Sequence, residues 1–166
     1  KKMYFYLIEK IILYLFILLP ISIIVGVTVS SIFILIICLL FLFFSYKNNY
    51  WKWVKEKYIK LFFFLYFYLI LNTFIAENFS HSISRNFGFL RYIIFIAAIQ
   101  YLLSKEKNIK ILVNSWLIIL SIFCVDIYFE FFFGQNLLGF KHNYHLRIVS
   151  FFKDEPVAGA YLNCFF

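Results

Sequence analysis

Charge is scarce in this chain, with only 14% of residues Asp, Glu, Lys or Arg. A soluble domain keeps about 25% charged residues to hold its surface in water, so an ordinary water-soluble globule is excluded. Glycine and proline are scarce too, at 5 and 2 residues, which excludes collagen-like, Pro-rich and linker-like polymers. Cysteine is limited to Cys38, Cys124 and Cys164. The first two lie inside apolar runs, where a free thiol is a small buried hydrophobe, and no disulfide or zinc framework is implied. A Gly-rich phosphate loop, a nucleophile elbow and a Cys-x-x-Cys pair are all missing.

What is present is apolar and aromatic: 64% of residues are hydrophobic, with 25 Phe and 13 Tyr. The expected fold class is therefore all-α, a polytopic transmembrane helix bundle forming a single domain over 1–166. The basic start Lys1-Lys2 followed by apolar residues has the opening of a signal peptide. The apolarity continues beyond the about 7–15 residues of such a segment, so no cleavage is expected. The chain begins ahead of Met3 and stops in a new apolar run at Cys164-Phe165-Phe166, and it reads as a fragment.

No charged residue occurs from Ile11 to Phe44. A single helix over that run would be about 51 Å long, against a hydrocarbon core of about 30 Å. The run's only Pro and Gly, Pro20 and Gly26, stand with Ser22, Thr28, Ser30 and Ser31 in its middle, where a helix can break and its freed backbone groups find partners. A tight reversal is expected near Gly26 to Ser31. The spans are then about 8–26, 29–45, 58–76, 85–103 and 109–131, with a sixth beginning near 156 and an extracytoplasmic loop over 132–155. Five spans from a cytoplasmic amino terminus place eleven of the sixteen Lys and Arg on one side, as the positive-inside rule requires. Between the second and third spans, Trp51, Trp53 and Tyr58 interleave with Lys52, Lys55 and Lys57. Such a segment fits the headgroup level of a lipid bilayer better than a nucleic acid.

Ionisable groups at membrane depth are costly and usually face a cavity or a partner. Asp126 and Glu130, at i and i+4, share one helical face. They are either an acid–base couple, or interfacial groups, or the partners of Arg85 and Arg91. Glu77 is a further partner for Arg91, which is expected to face the bundle interior. His142 and His145 lack a second Cys/His cluster and are a poor zinc signal, and Asn78-Phe79-Ser80 is a glycosylation pattern too short to assign. No metal is expected. Pro156, preceded by Asp154 and Glu155, has the chemistry of a helix start. Arg147, a permanently charged planar fork, is left free to meet phosphate oxygens or to pair with Asp154 or Glu155.

Asp126-x-x-x-Glu130-x-x-x-Gly134-x-Asn136-Leu-Leu-Gly139, followed by Arg147-x-x-Ser150-x-Phe152-x-Asp154-Glu155-Pro-Val-Ala-Gly159-Ala-Tyr-Leu162, resembles the O-antigen ligase and O-antigen polymerase superfamily of bacterial envelope enzymes. So does Arg91-Tyr-Ile-Ile-Phe with Arg85 upstream. Val149, Ser150 and Lys153 depart from the family's usual Arg-Leu-Ser-Gly and Phe-Gly-Asp-Glu segments, and Glu130 stands where Gln is common. The resemblance implies a metal-independent glycosyltransferase of the bacterial inner membrane that needs no cofactor. It would move glycan from an undecaprenyl-diphosphate carrier to a glycan or lipid A-core acceptor on the periplasmic face. Arg85, Arg91 and Arg147 would bind the diphosphate, with Arg147 the catalytic candidate, and Asp126, Glu130 and Glu155 would support them. The family's large periplasmic loop would lie downstream, so this piece alone is expected to be inactive. Two other classes compete. A transporter would show broken spans in corresponding halves, and a plain membrane anchor would not need these acids and arginines.

Overall fold

The computed structural model describes residues 2–139, 148–152 and 157–165. Among these the chain is helical and has no β-strand. In order, the helices are α1 (Lys2–Ile17), α2 (Leu19–Val25), α3 (Val27–Lys47), α4 (Lys57–Thr73), α5 (Phe79–Gly88), α6 (Leu90–Leu103), α7 (Glu106–Phe133) and α8 (Ala158–Asn163), with 3-10 turns at Lys52–Lys55 and Ser150–Phe152. Among the described residues three stretches are long and apolar enough to cross a bilayer: Val27–Lys47, Phe79–Leu103 and Glu106–Phe133. They become four if α1 and α2, bent by 49° at their junction, count as one span. Helix α4 has 17 residues.

The long uncharged run breaks twice rather than once. Pro20 sits in the first turn of α2, where its missing N–H leaves no helical bond unmade. The second break is Gly26 alone, at φ 149° and ψ 159°, a conformation essentially closed to residues with a Cβ. Val27 to Ser31, expected in the reversal, already belong to α3. A side chain at Gly26 would meet nothing within 4 Å, so backbone conformation and not space demands the glycine.

Two compact units are present, one of Lys1–Phe16 with Ser31–Ile109 and the other of Ile17–Ser30 with Lys110–Phe166. In the first, Ile37, Phe41 and Phe44 on α3 and Ile93, Ala97 and Leu102 on α6 are buried at helical spacing. Ala97 and Ala98 are buried too, small residues of the kind that let membrane helices pack closely without a hydrophobic drive. Phe16 stacks on Phe95 at 5.1 Å. The Cys38 thiol donates to the Arg91 carbonyl at 3.1 Å, and Lys105 pairs with Glu9. Asn86 on α5 donates to the Leu69 carbonyl at 2.9 Å and to Thr73 Oγ1 at 2.8 Å, tying α5 back onto α4.

In the second unit Leu120 and Phe123 of α7 pack with Ala158 and Tyr161 of α8. The Phe123 and Tyr161 rings lie 4.6 Å apart, and the Tyr161 hydroxyl donates to the Pro20 carbonyl at 3.2 Å. That bond, buried at both ends, fastens α8 to α2.

Replacing Gly26 with Ala tests the backbone argument. Gly26→Ala is expected to cost about 1–3 kcal/mol, the usual penalty for a non-Gly residue in so sparse a region, read as a lower denaturant midpoint of the detergent-solubilised protein. An unchanged midpoint would mean the glycine conformation is dispensable.

Candidate functional site

Helix α7 ends at Phe133, and Gly134, at φ 70°, donates its N–H to the Glu130 carbonyl at 2.8 Å. This is a left-handed cap that stops the helix and turns the chain. The next residues then fold back along the helix they left. The Leu137 N–H donates to Asp126 Oδ1 at 2.7 Å, and Asn136 Oδ1 accepts the Leu138 N–H at 3.1 Å.

The second visit comes from residues 148–150. Val149 donates its N–H to Glu130 Oε1 at 3.0 Å, and Ser150 donates its N–H to Oε2 of the same carboxylate. The Ser150 hydroxyl donates to Asp126 Oδ2, and its carbonyl accepts from Asn136 Nδ2 at 3.0 Å. Two consecutive N–H groups closing on one anion form a nest-like grip. All four carboxylate oxygens are accepting, and Asp126, Glu130, Asn136, Val149 and Ser150 are each no more than 2% exposed. Buried carboxylates are tolerable only when so completely satisfied.

Asp126 and Glu130 share a face, as the i, i+4 spacing predicts, both are buried, and among the described residues neither takes its bonds from an arginine. Their donors come from two loop segments within the second unit. With every oxygen engaged they act as anchors rather than as a free acid and base. The participation of the Leu137, Val149 and Ser150 amides was not foreseen, since backbone donors carry no residue signature.

Beside this clamp lie two open apolar cavities of about 500 and 540 Å³. The first is lined by Ile21, Ile24, Phe123, Leu138, Phe151 and Phe152 among others, and the second by Gly26, Val157, Ala160 and Tyr161 with Ile24 and Phe152 shared. Leu138 and the two Phe follow directly from clamped residues in sequence, so the polar anchor fixes an apolar wall.

The arginines of the first unit are placed differently. Arg91, on α6, is half-buried; its Nη2 donates to the Tyr92 hydroxyl at 2.9 Å, and its guanidinium lies 4.8 Å over the Tyr92 ring. Its Nε is buried without a hydrogen-bond partner. Among the described residues Arg91 has no carboxylate partner; Glu77 is exposed and does not pair with it. Arg85 is exposed on α5, where it lines a polar cavity of about 440 Å³ with His81, Ser82 and Ser84. Arg147, Asp154, Glu155 and Pro156 lie outside the described residues, as do His142 and His145. Among the described residues no group of three or more His, Cys, Asp or Glu could hold a metal ion.

No protein-family model, no curated protein and no solved structure matches the chain.

Glu130→Gln tests the clamp. The amide nitrogen would face an N–H that now meets an oxygen, leaving a buried donor unsatisfied at a cost of about 1–3 kcal/mol. Hydrogen–deuterium exchange of the peptide containing Val149 and Ser150 should accelerate in Glu130→Gln and less in Ser150→Ala, which removes one donor only. Equal protection in all three proteins would show that the carboxylate does not hold the loop.

Proposed function

We propose that this is a five-span protein of the bacterial cytoplasmic membrane that transfers or polymerises envelope glycan from an undecaprenyl-diphosphate carrier. The bent α1–α2 pair, α3, α4, the α5–α6 stretch and α7 supply the spans; α4, at 17 residues, is near the lower limit of about 17 for crossing hydrocarbon. Cytoplasmic placement of the amino terminus gathers the Lys of 46–60 and 104–110 on one side.

The observation that carries the reading is the carboxylate clamp. It fixes Val149 and Ser150, and Val149 follows Arg147 by two residues in the segment that resembles the ligase and polymerase superfamily. In the reaction proposed, the bond from the sugar's anomeric carbon to the diphosphate oxygen breaks. A bond to an acceptor hydroxyl forms as that hydroxyl loses its proton. Negative charge grows on the leaving diphosphate, and the Arg147 guanidinium, always charged, stabilises it electrostatically. The cavity lined by Leu138, Phe151 and Phe152 supplies an apolar surface beside the same loop.

A transporter is the second reading, favoured by the breaks at Leu18 and Gly26 in apolar helix. The other break, at Phe89 between α5 and α6, joins an amphipathic helix to an apolar one, so the halves do not correspond.

Arg147→Lys and Arg147→Ala in the native gene separate the two. Lysine keeps charge but not the planar fork, so transfer should fall by about 100-fold or more in both, with lipid-linked glycan accumulating at normal protein level. Wild-type transfer in Arg147→Ala would refute the catalytic role. Topology is tested independently with Cys38, Cys124 and Cys164 replaced. A single cysteine at Asn49 should resist a membrane-impermeant thiol reagent on intact cells, and one at His142 should react. Labelling at Asn49 would overturn the five-span arrangement.

A further inference from the structure

The turn joining α3 to α4 belongs wholly to the first unit and is built differently on its two sides. Trp53, in the 3-10 turn, is buried, with its ring 5.9 Å from that of Phe41. Phe41 and Phe44 in turn meet Tyr101, and Tyr101 meets Tyr50 at 5.2 Å. The Tyr50 N–H donates to the Ser45 carbonyl at 2.9 Å, closing the end of α3. One indole therefore pins the turn to an aromatic cluster at the end of the bundle.

The other side is cationic. Lys47, Lys52, Lys55, Lys57 and Lys60 are all exposed, and among the described residues none of them pairs with a carboxylate. The ion pair found in this unit, between Lys105 and Glu9, uses neither these lysines nor Glu56, the segment's one acid. Trp51 and Tyr58 stand among them, 44% and 40% exposed. Unpaired cations with half-exposed aromatics, held close to the ends of apolar helices, match the headgroup layer in charge and polarity. Lysines at such a surface attract anionic lipid, while a zwitterionic headgroup offers no net charge to balance them.

We propose that the turn of residues 46–60 is a binding site for anionic phospholipid headgroups, with Lys52 and Lys55 meeting the phosphate and Trp53 holding the turn in place. This rests on the membrane reading alone and is independent of glycosyl transfer. Lys52 and Lys55 lie either side of the buried Trp53 on one short turn, so their spacing is set by the protein fold and not by a flexible loop.

Quenching of tryptophan emission by bromine on the lipid chains tests it. The protein carrying Trp116→Phe, so that Trp51 and Trp53 alone emit, is reconstituted into phosphatidylcholine vesicles. Part of the host is replaced by either dibrominated phosphatidylglycerol or dibrominated phosphatidylcholine at equal mole fraction. Stronger quenching by the brominated phosphatidylglycerol is expected. Its advantage should fall by up to about fivefold for each lysine neutralised, and so vanish in Lys52→Gln/Lys55→Gln but persist in Lys107→Gln/Lys110→Gln. Equal quenching by both lipids in the parent protein, or an equal fall in the two double variants, would overturn the site. Quenching by neither lipid would overturn the membrane reading with it.

Discussion

Two carboxylates on the last turns of α7 hold the loop segments that follow it. In an apolar chain with few charges, burying Asp126 and Glu130 would be prohibitive without partners, and the loops that follow α7 exist in the conformation that supplies them. The relationship runs both ways. The loop segments at 134–139 and 148–150 donate N–H and O–H groups to the acids and are held by them. Short-range cap geometry at Gly134 starts the fold-back, and the carboxylates complete it.

Polar detail elsewhere follows the same logic on a smaller scale. Asn86 reaches across to the Leu69 carbonyl and Thr73, and the Tyr161 hydroxyl finds the Pro20 carbonyl. Each ties one helix to another within its unit through a single buried polar group. In lipid, where apolar faces gain little from meeting one another, such bonds and close packing of small residues supply the specificity. Arg91 is the exception. Its guanidinium rests on the neighbouring tyrosine while its Nε is left without a partner.

Much of the architecture was legible because membranes impose length and polarity rules on sequence. The helical class follows from an apolar chain that must satisfy its own backbone, and the break at Gly26 from the rarity of glycine and proline in the run around it. The second bend, near Leu18, escaped notice because Pro20 reads equally well as part of one wide break. The end of α4 at Thr73 was not visible either, since apolar residues continue to Ala76; the Thr73 hydroxyl instead turns back to the Leu69 carbonyl. For the site, the shared face of Asp126 and Glu130 could be read from spacing. Their partners could not, because the donors are mostly amides that any residue possesses, brought 11 to 24 positions back along the chain. Among the described residues the donors to both acids are loop amides and the Ser150 hydroxyl.

Ser150 gives this loop a mechanical property. It is a non-glycine residue at φ 53°, a twist that costs an L-residue about 1–2 kcal/mol, and its N–H, hydroxyl and carbonyl are each bound by a different side chain. A residue gripped at three points has no second rotation available to it. The direction in which the chain leaves toward Phe151 and Phe152 is then dictated by a single torsion. Tilting those two rings, and with them the wall of both cavities, requires letting go of the acids first, so the polar anchor and the apolar wall move as one lever.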